Sequence, residues 1–419
     1  MKIIADLQIH SKYSRATSKN ISIDTLANGA IVKGLNLLGS GDCTHPKWLK
    51  ELKEKLKPIG DSGIYKYKIF WMITGEVNTV YEQDKKIRKV HHLFYVPNIE
   101  TAEQIIDVLS KKSNLELDGR PTFNGLTSPE LVEILMSISR DIIILPSHAW
   151  TPWFSVFGSK SGFDSLEECY QDQIKNIFAL ETGLSSDPAM NWRLSSLDKV
   201  TLMSNSDSHS ANPWRLGREA NVLELEELSY KEIYNAIKNK DRKKFLYTIE
   251  TDPNYGKYHF TGHRSCGISL HPREAQKFNN TCPKCKRKLT VGVLQRVEEL
   301  ADRPEGFIPK DAIPYKTLLP LYEIISFILG EEFYSKKVLH EYNKIIEKFG
   351  NEFNVLLNVA KEELLKVTNE KIADAIIKVR EGKVKYIAGS DGLYGKPVFN
   401  ENIILKEKKL RTQKSLKDF

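Results

Sequence analysis

The sequence predicts a protein of the α/β class: a distorted barrel of seven strands, followed by a small zinc-binding ribbon and an α-helical C-terminal region. Residues 1 to 220 alternate short apolar segments with amphipathic ones, which is the pattern of parallel α/β folds. Three of the five cysteines cluster after residue 262, which indicates a metal site. From Ile313 onward, apolar residues recur at helical spacing. We therefore expect a barrel over residues 1–250, a ribbon over 251–310 and a helical region over 311–419.

The composition is that of a soluble globular protein. The 419 residues are 41% hydrophobic and 28% charged, which is enough material for two or three domains. No apolar run reaches the roughly 18 residues of a membrane helix. Met1 and Lys2 lead directly into a strand-like segment rather than a signal peptide, so we expect a cytoplasmic protein without a membrane partner. Five cysteines are too few for a disulfide scaffold, and the net charge of +8 permits an anionic partner.

Seven strand-like segments account for the predicted barrel. They are short apolar runs at 2–6, 35–40, 69–76, 90–96, 142–146, 177–181 and 200–205. The intervening stretches carry helix-start signals at Ser22 and Ser128, and an amphipathic stretch covers 48–57. Barrels of this build place their functional side chains at the C-terminal ends of the strands.

Metal-binding residue types recur at these strand ends. The candidate ligands are Asp6, Gln8, His10, Asp42, His45, Glu76, His91, His148, Glu181, Asp207 and His209. A single histidine is more often a hydrogen-bonded structural residue than a ligand, but six of the ten histidines fall at the barrel strands and their mouths. We expect this set to hold two or three divalent cations, with Zn²⁺, Mn²⁺ and Mg²⁺ all possible. Glu76 and Asp207 are catalytic candidates, and Glu76 is the expected bridging carboxylate.

His91 and His92 are an unresolved pair. They begin a predicted strand instead of ending one. Adjacent residues of a strand point to opposite faces, so only one of the two can face the barrel interior.

Cationic and aromatic side chains near the strand ends suggest contacts to a phosphate and a base. Arg15 lies about one turn past His10, where a guanidinium could bind phosphate bidentately, and it is the third catalytic candidate. The alternative is a surface arginine in a loop. The loop after residue 148 is rich in aromatic residues, which could stack on a base or cover the barrel mouth. The candidate nucleic-acid contacts are Arg215, Arg218, Trp150, Trp153 and Phe154.

A zinc site is predicted beyond the barrel. Cys282 and Cys285 form a Cys-x-x-Cys pair followed by basic residues, and Cys266 precedes them. The fourth ligand is His263 or His271; the two-residue gap between His263 and Cys266 matches the second pair and favours His263.

Four amphipathic helices are predicted in the C-terminal region, at 318–329, 335–349, 355–365 and 369–381. The basic tail at 406–417 is of a kind that is usually solvated but could lie along nucleic acid.

The order of the barrel motifs resembles the polymerase and histidinol phosphatase (PHP) superfamily. The resemblance rests on Asp6-Leu-Gln-Ile-His10, Gly41-Asp42-Cys-Thr-His45, Gly75-Glu76, Pro146-Ser-His148, Leu180-Glu181 and Ser206-Asp207-Ser-His209. It implies a distorted seven-stranded barrel with a trinuclear site that hydrolyses phosphate esters. The superfamily usually opens with His-x-His, and Gln8 stands in the first position here. We therefore expect one metal position to be held more weakly, with Asp6 compensating.

The whole chain is similar to the endonuclease Q family. The segments Gly262-His-Arg-Ser-Cys-Gly267 and Cys282-Pro-Lys-Cys285, and the stretch from Leu289 to Gly306, carry this resemblance. It implies a DNA repair enzyme that cuts 5′ to a deaminated base (uracil, hypoxanthine or xanthine) or an abasic site. The expected partner is damaged duplex or single-stranded DNA, with a replication clamp or other repair proteins as further partners and a nucleoid-associated location.

Two other functions are compatible with the residues. A PHP-type phosphatase acting on small phosphomonoesters would explain the metal ligands but not the ribbon and the helices. The second alternative is a non-catalytic DNA-binding protein whose barrel has lost its metal site, and the only feature in its favour is Gln8 in place of the usual histidine.

Overall fold

A computed structural model of the chain describes residues 1–399 and has a mixed α/β fold with a helical C-terminal region, as the sequence predicts. The predicted basic tail at 406–417 lies outside the described residues. Among the helices of the described part, none combines the length and the apolar character needed to cross a membrane.

All seven predicted strand segments contain strands. The strands of the N-terminal part are β1 Lys2–Asp6, β2 Leu37–Gly39, β3 Lys57–Pro58, β4 Tyr65–Tyr67, β5 Ile69–Gln83, β6 Lys86–Val96, β7 Thr122–Asn124, β8 Ile143–Pro146, β9 Ala179–Glu181, β10 Thr201–Met203, β11 Ala220–Glu224 and β12 Phe245–Glu250. The fifth of these is longer than predicted: it continues past Glu76 to Gln83, so Glu76 lies within a strand and not at its end.

Strand direction departs from an all-parallel barrel. β1, β2 and β5 are parallel neighbours, and β9 pairs in parallel with β10. β6 instead runs antiparallel to both β5 and β8. The cause is the tight turn at Asp84 and Lys85, whose φ angles of 53° and 60° are those of a two-residue hairpin. Because β6 runs antiparallel to β5, the β6 residue that lies near Glu76, His91, is in the middle of its strand and not at the end.

The hydrogen-bonded ladders do not form one continuous ring in the described residues. They form an 11-stranded sheet that contains β1, β2, β5, β6 and β8, and a separate two-stranded sheet of β9 and β10. Backbone hydrogen bonds just beyond the strands connect them: Ala149 N donates to Glu181 O over 3.0 Å, and His10 N donates to Ser208 O over 2.9 Å. The buried side chains of Ile3, Ala5, Leu37, Met72 and Leu93 contribute to a core that the strands share.

The helices of the N-terminal part connect these strands. They are α1 Ile23–Lys33, α2 Pro46–Lys55, α3 Ile99–Leu109, α4 Ser128–Ile138, α5 Leu166–Tyr170, α6 Pro188–Asn191 and α7 Tyr230–Lys238. Ser22 caps α1, as predicted, since its side chain accepts a hydrogen bond from Thr25 N. The cap of α4 is Thr127 and not Ser128, because Thr127 and Glu130 form a reciprocal capping box.

The chain continues into the region around the cysteines and then into helices. The elements are β13 Thr261–His263, β14 Ile268–Leu270, α8 Pro272–Lys277, α9 Val293–Leu300, β15 Tyr315–Thr317, α10 Leu321–Leu329, α11 Lys336–Phe349, α12 Glu352–Leu357, α13 Lys361–Leu365, α14 Glu370–Arg380, β16 Lys385–Ile387 and β17 Lys396–Val398. The predicted helix at 355–365 is two helices, α12 and α13, because the chain leaves helical geometry at Asn358.

The helical region is joined to the barrel by buried charges. Lys33 on α1 and Glu352 on α12 form an ion pair with Nζ and Oε1 2.7 Å apart, and both side chains are almost completely buried. Glu352 also accepts hydrogen bonds from Tyr342 Oη over 2.9 Å and from Leu321 N over 3.1 Å. β15 adds a further link, since it pairs in parallel with β12 of the barrel sheet.

Candidate metal centre

Glu76, His91 and His148 form one group of potential metal ligands. Glu76 Oε1 lies 3.0 Å from His91 Nδ1 and 3.6 Å from His148 Nε2, and the two imidazole nitrogens are 3.0 Å apart. His91 lies directly opposite Asn78 in the β5–β6 hairpin. Asn78 follows Glu76 by two residues along β5, so the side chains of Glu76 and His91 point to the same face of the sheet. The neighbouring His92 faces the core, where it contacts Thr79 Oγ1 and Tyr170 Oη at 3.0 Å each.

His10, Asp207 and His209 form a second group. His10 Nε2 lies 3.0 Å from Asp207 Oδ1, and His209 Nδ1 lies 3.9 Å from the same oxygen. The rings of His10 and His209 are 4.5 Å apart between centroids. In each of the two groups, the three donor atoms all lie within 4.8 Å of one another.

Glu76 connects the two groups. Its Oε2 lies 3.2 Å from His10 Nε2, while its Oε1 faces His91 and His148. Although Oε1 is buried, it receives no hydrogen bond from any of the described residues. A buried carboxylate oxygen without a donor, among imidazole nitrogens, is the environment that a divalent cation satisfies. The residues present therefore fit a divalent cation at Glu76, His91 and His148.

Burial and neighbouring charges set the protonation of the centre. Burial lowers the pKa of His91 to about 4, which keeps its imidazole neutral and able to bind a metal. Burial would raise the pKa of Glu76, but the positive charge of Arg120 holds that pKa well below its ordinary value. Burial would lower the pKa of His10, and the Asp42 carboxylate instead raises it well above its usual range.

Asp42 and Glu181 orient these ligands from behind. Asp42 Oδ1 lies 2.9 Å from His10 Nδ1, while its Oδ2 accepts hydrogen bonds from Ser11 N and from the hydroxyls of Ser11 and Ser14 over 2.6 to 2.8 Å. Glu181 accepts from His148 N over 2.7 Å and from Asn205 Nδ2 over 2.8 Å. Both carboxylates are thus occupied by protein donors, and they lie outside the two ligand groups.

Three residues of the centre and its supports have a strained backbone. Asp42, His148 and Asp207 have φ angles of 45°, 30° and 48°, a region that residues other than glycine seldom occupy. Each of these residues lies two to four residues beyond the end of a strand, β2, β8 or β10. Such strain is found where the surrounding structure holds a functional side chain in a required direction.

Three other predicted ligands have different surroundings. Asp6 accepts hydrogen bonds from Ser206 N, Ser206 Oγ and Gly217 N at 3.1, 2.6 and 2.8 Å, so protein donors already contact both of its carboxylate oxygens. His45 caps α2 through its side chain, and its ring stacks on Tyr13. Gln8 is buried, and its amide oxygen and nitrogen have no hydrogen-bond partner among the described residues.

A cavity of about 740 Å³ opens beside the centre. It is lined by His148, Asp207 and His209, and also by Trp153, Phe154, Tyr258, Arg215, Arg218 and Tyr394. Trp153 is 39% exposed and meets Tyr258 edge to face, with ring centroids 5.8 Å apart. Trp150 does not reach the cavity: its side chain is buried and its Nε1 donates to Asn191 Oδ1 over 2.8 Å. The predicted nucleic-acid contact at Trp150 is therefore wrong.

The arginines are distributed differently from the prediction. Arg15 is 82% exposed and pairs with Asp118 outside both ligand groups. Arg218 is buried and pairs with Glu323 of the helical region. The arginine that reaches the centre is Arg120, whose Nη1 lies 3.3 Å from Glu76 Oε2. No sequence signal marked it, because it follows no strand; neither Tyr258 nor Tyr394 follows a barrel strand either.

His263, Cys266, Cys282 and Cys285 converge in a further group. Their potential ligand atoms lie within 4.8 Å of one another, and His263 Nδ1 is 3.3 Å from Cys285 Sγ. His271 instead caps α8, where its side chain accepts a hydrogen bond from Arg273 N. Three thiols and an imidazole in this arrangement are a donor set typical of structural zinc.

Comparison with known proteins gives matches over most of the chain. The MJ0043 C-terminal domain family matches residues 320–383. The uncharacterized protein YqxK of Bacillus subtilis is 31% identical over 94% of this chain and 99% of its own length. The uncharacterized protein MJ0043 of Methanocaldococcus jannaschii is 39% identical over 60% of this chain, and the match spans 31% of that longer protein.

Two solved structures resemble the whole described fold. One is the crystal structure of the novel lesion-specific endonuclease PfuEndoQ from Pyrococcus furiosus, which is 37% identical, has a TM-score of 0.86 and is matched over 97% of its chain. The other is endonuclease Q in complex with a 27-mer duplex substrate with an abasic lesion at the active site, which is 36% identical with a TM-score of 0.86 over 98% of its chain. Each match covers 96% of this chain.

Proposed function

Because this chain belongs to the endonuclease Q family, we propose that it is a DNA repair endonuclease that cuts the phosphodiester 5′ to a deaminated base or an abasic site. The observation that carries this proposal is the pair of ligand groups sharing Glu76 at the wall of a cavity of about 740 Å³. The cavity is of the size that encloses small organic groups, which suits an extruded nucleotide. Its aromatic lining suits the face of a base.

The metal centre would be held by six side chains: Glu76, His91 and His148 in one group and His10, Asp207 and His209 in the other. Bound divalent cations supply Lewis acidity for a phosphate ester and lower the pKa of water. Within the protein, Asp42 fixes the His10 ring and leaves Nε2 directed at Asp207 and Glu76. Glu181 fixes the loop that carries His148 by accepting its backbone N–H. We propose two cations at minimum, since two complete groups are present.

The lesion would enter the cavity from an unpaired or weakly paired position. Extrusion of a nucleotide is least costly for a mismatched, damaged or missing base. Trp153 and Tyr258 provide aromatic surface at the cavity, and Phe154 lies 5.0 Å from the His91 ring between centroids. We propose that Trp153, Phe154 and Tyr258 contact the extruded nucleotide.

The remaining parts of the chain would hold the duplex. We propose that residues 251–310 form a zinc-stabilised ribbon with His263, Cys266, Cys282 and Cys285 as ligands. Residues 311–419 would then be a DNA-binding helical region. The net charge of +8 predicts binding that weakens as salt concentration rises.

A nicking assay tests the proposal. End-labelled duplexes that carry one uracil, hypoxanthine or abasic site, and an undamaged duplex, are incubated with the protein with and without a chelator, and the cut is mapped. We expect metal-dependent cutting 5′ to the lesion. Asp207→Asn should abolish it, whereas Asp107→Asn, at an exposed position on α3, should not. Strong hydrolysis of p-nitrophenyl phosphate without any nicking would show a small-molecule phosphatase instead.

A further inference from the structure

Arg120 places a cation at the centre of the ligand groups. Its Nη1 lies 3.3 Å from Glu76 Oε2, the carboxylate oxygen that also faces His10. Asp207 is close enough to interact with the guanidinium electrostatically. The side chain is 24% exposed, so it is partly accessible to solvent although it contacts the buried Glu76.

The loop that carries Arg120 is fixed to the barrel. Asp118 Oδ1 accepts hydrogen bonds from the backbone N–H groups of Arg15 and Arg120, each over 3.2 Å. Gly119 N donates to Tyr13 O over 3.1 Å. A side chain at position 119 would collide with Asp42 and Ser14, so only glycine allows the loop to approach this closely. The contacts hold Arg120 against the residues that orient His10.

The guanidinium has unused hydrogen-bonding capacity. An arginine carries five N–H donors in a planar fork that matches the oxygens of a phosphate. Among the described residues, the only hydrogen bond of the Arg120 guanidinium is the one to Glu76. Of the other arginines considered for this role, Arg15 pairs with Asp118 and Arg218 with Glu323, whereas Arg215 lines the cavity and lies over the ring of Phe333.

We propose that Arg120 is a catalytic residue that binds a non-bridging oxygen of the scissile phosphate. This assignment rests on the proposed function and adds a named phosphate contact to it. A phosphodiester held at the two ligand groups carries one negative charge, and Arg120 is the cation that contacts Glu76, the carboxylate that lies between the groups. When DNA is absent, the guanidinium pairs with Glu76 and partly neutralises the buried carboxylate.

Substrate neutralisation provides a specific test. Two duplexes are compared, identical except that the scissile phosphate of one is replaced by an uncharged methylphosphonate. Binding is measured by fluorescence anisotropy in an Asp207→Asn background, so that cleavage does not occur. With Arg120 present, we expect the methylphosphonate to weaken binding about tenfold, the scale of a charge-assisted hydrogen bond. In the Arg120→Ala variant the weakening should fall to less than about twofold, and Arg120→Lys should be intermediate.

Arg140→Ala is the matched control, because Arg140 is exposed and precedes β8 at the end opposite His148. It should leave the tenfold difference unchanged. Metal content of each variant is measured in parallel by mass spectrometry. If Arg120→Ala changes metal content while the full methylphosphonate penalty persists, Arg120 serves only as a partner of Glu76 and the assignment is wrong. Failure of the unsubstituted protein to cut or prefer lesion duplexes would overturn both the proposed function and this assignment, whereas normal cutting with an unchanged penalty would overturn this assignment alone.

Discussion

Asp42→Asn should weaken the metal group that contains His10 without removing any of its ligands. Three donors, Ser11 N and the hydroxyls of Ser11 and Ser14, converge on Asp42 Oδ2. In an asparagine, the amide oxygen must occupy that position, so the amide NH₂ turns toward His10 Nδ1. In the neutral ring that metal binding requires, His10 Nδ1 then accepts a hydrogen bond and the single ring proton moves to Nε2, the atom directed at Asp207 and Glu76.

Loss of an orienting carboxylate of this kind costs about 10- to 100-fold in metal affinity or activity. That range corresponds to about 1.4 to 2.7 kcal/mol. The assay is a titration of divalent cation into metal-depleted protein, with the initial rate of nicking at an abasic site as the signal. We expect the half-saturating metal concentration to rise by that factor and the rate to recover in part at high metal. The control is Asp107→Asn, and a shift of less than about twofold for Asp42→Asn would refute the tautomer argument.

The other predictions concern the cavity, the cysteine group and Gln8. Trp153→Ala should weaken binding of a uracil duplex by about 1 to 3 kcal/mol, the range for stacking on one base, but leave affinity for undamaged duplex within about twofold; equal losses on both duplexes would exclude a lesion contact. Cys282→Ser should release one zinc ion per chain and lower the melting temperature, whereas Cys169→Ser, at a cysteine outside the cysteine–histidine group, should retain the zinc. Gln8→His should raise the metal bound per chain, measured by mass spectrometry, since an imidazole would replace an amide that has no partner among the described residues; unchanged content would place Gln8 outside the metal centre.

Strand ends could be predicted from the sequence because they follow from local pattern. The apolar runs that precede His148 and Asp207 are short and bounded, and in this class of fold the residues after such runs meet at one end. The same rule selected Asp6 and His45, which lie at strand ends but are held by Ser206 and by the α2 N-terminus. The apolar pattern thus predicts which residues lie near the C-terminal ends of the strands, but it does not predict which groups their side chains contact there.

Features that depend on contacts between residues far apart in the chain could not be predicted from the sequence. Trp150 and Trp153 lie three residues apart in one aromatic loop, and contacts with Phe157 and Asn191 bury Trp150 while Trp153 stays exposed. Arg120 belongs to a loop without strand or helix signals, and its position is set by hydrogen bonds to residues more than a hundred positions earlier in the chain. The reversal of β6 did have a local cause in Asp84 and Lys85, but neither residue is the asparagine–glycine type that marks most hairpins.

The ion pair between Lys33 and Glu352 limits how this protein can be divided or recombined. The segment recognised as a separate domain family, residues 320–383, contains Glu352 but not Lys33. A replacement segment that lacks an acidic residue at position 352 would leave Lys33 buried without its partner, whose carboxylate oxygen lies 2.7 Å from Nζ. Removal of one partner from such a pair costs about 3 to 5 kcal/mol, a large part of the stability of a domain. Helix α1 and the helical region are therefore coupled, and an exchange of the segment keeps its stability only if the incoming segment places a carboxylate against Lys33 or if both charges are replaced by apolar residues.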